Sequence, residues 1–240
     1  MAKLPILMYH DVCKDISHSK GLTIAADVLE SHFSYLSKSG YTSLHFEQLQ
    51  DFNVDNPLPG KSVIITFDDV YVSQLELAYP LLKKYGLKAT FFIPFEYVGG
   101  RDAWSTNSKM IMDEVQLASM DRSVVELGLH SFHHGNYATM GIEEVDMDFE
   151  KCKDFVKKTG LPVNNILAYP YGKFPKEEPA KGKFFKCLHE HKMAYGLRIG
   201  NRVNRFPFKN NYEVQRIDIK GEDTLLKFKL KLRLGKLKLF

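Results

Sequence analysis

Apolar runs broken by turn residues divide this chain into alternating strand and helix patterns. Residues 4–9 read as a first buried strand that ends on His10 and Asp11. Residues 63–67 are rich in β-branched side chains, which suits a strand covered on both faces, and the run stops on two adjacent carboxylates, Asp68 and Asp69. Further strand patterns fall at 41–44, 88–94, 123–129, 165–169, 193–198 and 213–219. Between them, 26–39, 71–85, 111–120, 142–158 and 179–191 carry helical periodicity, and Gly40, Gly86 and Gly160 stand at helix stops. Residues 46–52 form a short helix pattern, and the loop 53–60 contains Pro57 and Pro59.

This alternation implies parallel β/α units joined by right-handed crossovers. One α/β domain accounts for 240 residues, and periodicity alone leaves an open sheet and a closed barrel as equal alternatives. A long loop with Gly99, Gly100 and the only tryptophan, Trp104, interrupts the pattern, and a loop of that length is more often functional than idle.

Composition changes the picture little. Apolar and charged fractions are those of a water-soluble protein, and no run reaches the length of a membrane span. The opening residues lack the apolar core of a signal peptide, so a cytoplasmic location is expected. Cys13, Cys152 and Cys187 show no metal-type spacing and read as free thiols. The net charge of +4 is concentrated in residues 227–240, which hold six basic side chains and no acid, leaving the body slightly acidic. No nucleic-acid partner is expected.

Two acids at the end of a buried strand repel each other unless a cation is near or one stays protonated. One of them can cap the following helix; the second then needs another explanation. His130 and His134, four apart just after the 123–129 strand, can converge on one point if the intervening turn is helical, and a metal site is favoured over two unrelated histidines. Two imidazoles and a carboxylate leave coordination positions open, the pattern of a catalytic metal. His133 should point away.

Together, Thr66-Phe67-Asp68-Asp69, His130-Ser131-Phe132-His133-His134 and Ala168-Tyr169-Pro170-Tyr171-Gly172 resemble the three motifs of the polysaccharide deacetylases, carbohydrate esterase family 4. Leu7-Met8-Tyr9-His10 resembles the opening of the circularly permuted poly-N-acetylglucosamine deacetylase branch. The resemblance runs to about residue 219 and implies a distorted (β/α) barrel of about seven parallel strands over 1–219, with 220–240 as a basic C-terminal tail. It further implies that Asp69, His130 and His134 bind a divalent metal: zinc, with cobalt, nickel or manganese as alternatives. Asp68 would be the general base, His10 the acid for the leaving amine, and a backbone N–H near Tyr171 an oxyanion donor. Val70 stands where the family usually has glycine. The third motif lacks the usual arginine, a charge that Arg216 could supply from a neighbouring strand; a solvated strand-end charge is an equal reading of Arg216. Trp104 and Tyr137 are candidate walls for a sugar ring.

The expected activity is metal-dependent hydrolysis of the N-acetyl group of an amino sugar or oligosaccharide, in a surface-polysaccharide or lipopolysaccharide precursor, with a lipid-linked carrier as one option. Amide hydrolysis of a non-sugar compound, or carbohydrate binding without turnover, are the alternatives. In the tail, leucines alternate strictly with lysines, the strand period, although Asp223-Thr224-Leu225 resembles a helix start. A docked terminal element is the plain expectation; peripheral contact with an anionic membrane at its inner face is the sharper one.

Overall fold

A computed structural model describes residues 2–235 of the chain. Seven parallel strands form its centre: β1 (Ile6–Tyr9), β2 (Ser62–Asp68), β3 (Ala89–Ile93), β4 (Val125–Leu129), β5 (Val163–Ala168), β6 (Tyr195–Ile199) and β7 (Val214–Asp218). Each pairs in parallel with the next in sequence. Strand β7 pairs back onto β1, with Ile217 opposite Leu7, so the sheet closes into a barrel. The helices α1 (Ala26–Lys38), α2 (Tyr79–Tyr85), α3 (Glu114–Ser119), α4 (Ile142–Thr159), α5 (Ala180–Glu190) and α6 (Leu225–Leu234) complete the chain. The barrel, expected from resemblance and undecided by periodicity, is thus the architecture.

Closure gives the strands two apolar faces, and the pleat sorts their residues between them. Ile6, Ile64, Phe92, Ile166, Leu197 and Val214 fill the lumen, with Leu44, Phe46 and Leu49 packed against the same cluster. Their neighbours Leu7, Val63, Ile65, Phe67, Phe91 and Ile93 face outward beneath the helices. Gly128 is required in this arrangement, since a Cβ there would lie 2.6 Å from the Phe92 ring. The lumen also holds Glu126, whose carboxylate accepts from Thr90 Oγ1 at 2.7 Å and from the Phe46 N–H at 2.9 Å.

Several element ends depart from the periodicity. The 71–85 pattern splits into a π-turn over Gln74–Ala78 followed by α2. Pro80 has no N–H to offer the carbonyl four residues back, so the helical ladder shifts at that point. Helix α3 starts late, at a capping box formed by Asp113 and Gln116.

The alternating tail is helical. Thr224 Oγ1 accepts the Lys227 N–H at 3.3 Å and opens α6, whose Phe228, Lys231 and Leu232 turn inward at helical spacing. Phe228 stacks on His32 of α1 with centroids 3.9 Å apart, and the Lys231 ammonium binds the Asp223 carboxylate. Burial of one apolar stripe decides for the helix over the strand that alternation suggests. Lys236 and Lys238 lie outside the described residues.

Candidate active site

The C-terminal ends of β1, β2, β4, β5 and β7 converge on one cavity of about 130 Å³. Asp68 is the last residue of β2, and the chain then turns through Asp69 (φ 75°) and Val70 (φ 45°) in the left-handed region. Such backbone is uncommon for non-glycine residues and least comfortable for a β-branched one. Ser131 (φ 64°), His134 (φ 54°) and Tyr171 (φ 58°) share it, so backbone strain gathers around this mouth. Gln74 binds the ends of two strands together, its Nε2 donating to the Asp68 carbonyl at 2.6 Å and the His10 carbonyl at 2.9 Å.

His130 follows β4 directly. Its Nδ1 donates to the Ala168 carbonyl at 2.8 Å, which fixes the tautomer and leaves the Nε2 lone pair facing Asp69 Oδ1 at 3.6 Å. His134 Nε2 lies 3.4 Å from the same oxygen. The segment between the histidines is not the helical turn expected from their spacing; two left-handed residues, Ser131 and His134, bring the rings together instead. Asp148 of α4 clamps the loop by accepting the Phe132 N–H at 3.0 Å and the His133 N–H at 3.3 Å. His133 itself points away and pairs with Glu96.

Asp69, His130 and His134 present ligand atoms that all lie within 4.8 Å of one another, and all three residues are buried. Asp69 Oδ1 has no hydrogen-bond partner. The histidine distances are too long for hydrogen bonds, and an orphaned carboxylate oxygen between two imidazole nitrogens is the donor set that a divalent cation satisfies. Burial of His130 holds its pKa down to about 4 despite the attraction of Asp68, so its ring is neutral and ready to ligate near neutrality.

Asp68 stands beside this set. Arg216 of β7, fully buried, donates from Nη1 to Asp68 Oδ1 at 2.5 Å and from Nη2 to Oδ2 at 2.8 Å. Burial alone would raise the Asp68 pKa; Arg216, with His130 and His10, outweighs it and holds the carboxyl well below the usual range. The solvated reading of Arg216 is therefore corrected: its side chain lies in the lumen with Phe92 beneath it. His10 Nε2 is 3.5 Å from Asp68 Oδ2, on the cavity wall.

Trp104 lines the cavity and stacks on the His134 ring, centroids 3.8 Å apart and 18° from parallel. Tyr171, half exposed, meets the same ring edge-on. Gly172 behind it has φ +64°, and a Cβ there would sit 2.5 Å from Ile199 Cγ1. Tyr137 does not line the cavity, contrary to expectation. It is fully buried among Phe149 and Phe184, because its hydroxyl satisfies the buried Asp148 carboxylate at 2.8 Å. Sequence reasoning missed Asp148, which holds the histidine loop from α4, and Asp218, a further carboxylate on the cavity wall; neither belongs to a motif, and only the fold brings them to these places.

The family model for polysaccharide deacetylase matches residues 55–184. A Bacillus subtilis relative bearing a polysaccharide deacetylase name is 29% identical over 177 residues, covering 73% of this chain and 59% of that protein. The chain therefore spans well under two thirds of that relative's length. The poly-beta-1,6-N-acetyl-D-glucosamine N-deacetylase of Staphylococcus epidermidis is 24% identical over 216 residues, 87% of this chain and 72% of that protein. Among solved structures, a Streptococcus pyogenes deacetylase in complex with acetate superposes with a TM-score of 0.79 at 18% identity, covering 96% of this chain and 98% of that one, a likeness of fold.

Proposed function

The chain belongs to the polysaccharide deacetylase family, and from that premise and the geometry at the barrel mouth we propose that it hydrolyses the N-acetyl group of an amino sugar within an oligosaccharide or polysaccharide. The observation that carries the reading is the Asp69, His130 and His134 donor set beside an Asp68 gripped by Arg216. A divalent metal, of which zinc best suits two imidazoles and one carboxylate, would supply Lewis acidity toward the acetyl carbonyl and toward water.

The chain's own residues do the rest. Asp68 is held ionised and oriented by Arg216, so one carboxylate oxygen can take the proton of the attacking water. His10, beside Asp68 on the cavity wall, delivers a proton to the departing nitrogen as the amide C–N bond breaks, giving acetate and a free amine. The turn at 170–172 bonds internally through the Gly172 and Lys173 N–H groups, and the Tyr171 N–H just before them is the donor for the developing oxyanion. Trp104 gives a flat apolar wall at the entrance, suited to the face of a sugar ring.

The finer reading is a lipid-linked surface-polysaccharide or lipopolysaccharide precursor on the cytoplasmic side of a membrane. It is supported by α6, whose Leu226, Leu230 and Leu234 are exposed at one-turn spacing among Lys229 and Arg233. No helix among the described residues is long and apolar enough to cross a membrane. Acetate release from β-linked N-acetylglucosamine oligomers, assayed with metal and after chelation, tests the activity; bound metal with no acetate from any N-acetylated sugar would overturn it.

A further inference from the structure

A second group of metal-ligating side chains lies outside the barrel, between α4 and α5. Asp146, Cys187 and His191 offer ligand atoms within 4.8 Å of one another. Cys187 and His191 stand one turn apart on α5 and its C-cap, and they are 4% and 5% exposed. Asp146 and Glu150 stand one turn apart on α4 and reach toward them. His191 Nε2 meets Asp146 Oδ1 at 2.7 Å, while its buried Nδ1 has no hydrogen-bond partner and lies 3.6 Å from Glu150 Oε1.

This arrangement has the parts of a metal centre. A ligating histidine ordinarily turns its other ring nitrogen to a carboxylate that fixes the tautomer, and Glu150 stands where that carboxylate belongs. A thiol, an imidazole and a carboxylate suit a borderline-soft divalent ion, and the exposure of Asp146 leaves room for water in the fourth position. Nothing in the barrel chemistry uses these residues, and the cysteines by themselves show no ligand spacing; the histidine four residues on supplies what they lack.

We propose that Asp146, Cys187 and His191 form a second site for a zinc-like divalent ion, with Glu150 orienting the histidine. Binding forms metal–sulfur, metal–nitrogen and metal–oxygen bonds and releases the thiol proton to solvent. An ion here would tie α4, which carries the Asp148 clamp on the histidine loop, to α5.

Cobalt(II) titration of the metal-stripped full chain tests this, because a thiolate ligand gives a near-ultraviolet charge-transfer band that the barrel donor set cannot. The wild type should take up two equivalents with that band, and Cys187→Ser should take up one without it. Asp69→Asn should keep the band while losing the other equivalent. Asp146→Asn, an exposed and structurally mild change, should weaken the band-forming step by about tenfold or more. Absence of the band in the wild type, or its persistence in Cys187→Ser, overturns the proposal.

Discussion

Arg216 holds Asp68 through both terminal nitrogens, across 148 residues of sequence and with both side chains out of water. A planar two-bond grip fixes the carboxylate plane as well as its charge. Arg216→Ala should lower kcat by about 10–100-fold with little change in KM, because it removes orientation of the base rather than contact with sugar. It should also destabilise the fold by about 3–5 kcal/mol, since a buried aspartate loses its counter-charge. Steady-state kinetics beside urea melts read both; an unchanged kcat would refute the orienting role.

Removal of metal should abolish acetate release, and restored zinc or cobalt should return it. Asp69→Asn should lose the barrel ion and the activity together, while circular dichroism stays that of the wild type. Full turnover by the chelated protein would contradict the role given to Asp69, His130 and His134.

His32 makes the docking of α6 sensitive to acid. Burial against Phe228 lowers its pKa to about 4, more than the nearby Asp223 raises it, and Lys231 lowers it further. The unfolded chain takes up this proton near pH 6.5, before the folded chain does, so stability falls as pH drops from about 6.5 to about 4. Asp68 works in the same sense but at lower pH: its depressed pKa contributes stability above the ordinary aspartate value, lost only as pH falls toward the folded value. Denaturant midpoints at pH 7 and pH 5 should show the histidine loss, and His32→Phe should diminish it. An equal pH slope in that variant would exclude His32.

Val70 bends through φ 45° with a fully buried side chain. Glycine there would relieve about 1–3 kcal/mol of backbone strain and forfeit about 1.5–3 kcal/mol of apolar burial, so Val70→Gly should change stability by no more than about 2 kcal/mol. Activity should be retained. A collapse of either in the variant would show that valine itself is needed beside the site.

The outward face of α6 should carry any association with anionic vesicles. Deleting the helix would expose the core around Phe228, so the sharper variant is Leu226→Glu with Lys229→Glu, which leaves the inner stripe intact. Flotation with phosphatidylserine vesicles should fall at least several-fold in that variant and in high salt. Equal flotation by both proteins would end the idea.

The parts of the site that were legible before the fold was known are those written locally. Asp68 and Asp69 end an apolar run, and His130 and His134 follow the next strand but one; their proximity needs only parallel strands side by side. The family motifs added His10 and the turn at Tyr171. What stayed out of reach depends on contacts between distant segments. Closure of β7 onto β1 decides for Arg216 as the charge beside Asp68 over a solvated strand-end group, a choice between two readings that no strand pattern makes. Tyr137 has the composition of a sugar platform, yet a carboxylate on α4 draws its hydroxyl into the core. The alternation of leucine and lysine near the C-terminus reads as a strand until Phe228 finds His32.

Since the base comes from the second barrel strand and its guanidinium from the seventh, the site is unfinished until the chain through β7 has left the ribosome. At about 5–20 residues per second, Asp68 waits about 7–30 seconds in the nascent chain before its counter-charge, 148 residues on, arrives. Proteolytic loss of the seventh strand would leave the metal ligands in the remaining piece but strip the base of its partner. A clipped or stalled product would thus be a potential ion binder with an unsupported Asp68, and integrity of the C-terminal segments is itself a condition of catalysis.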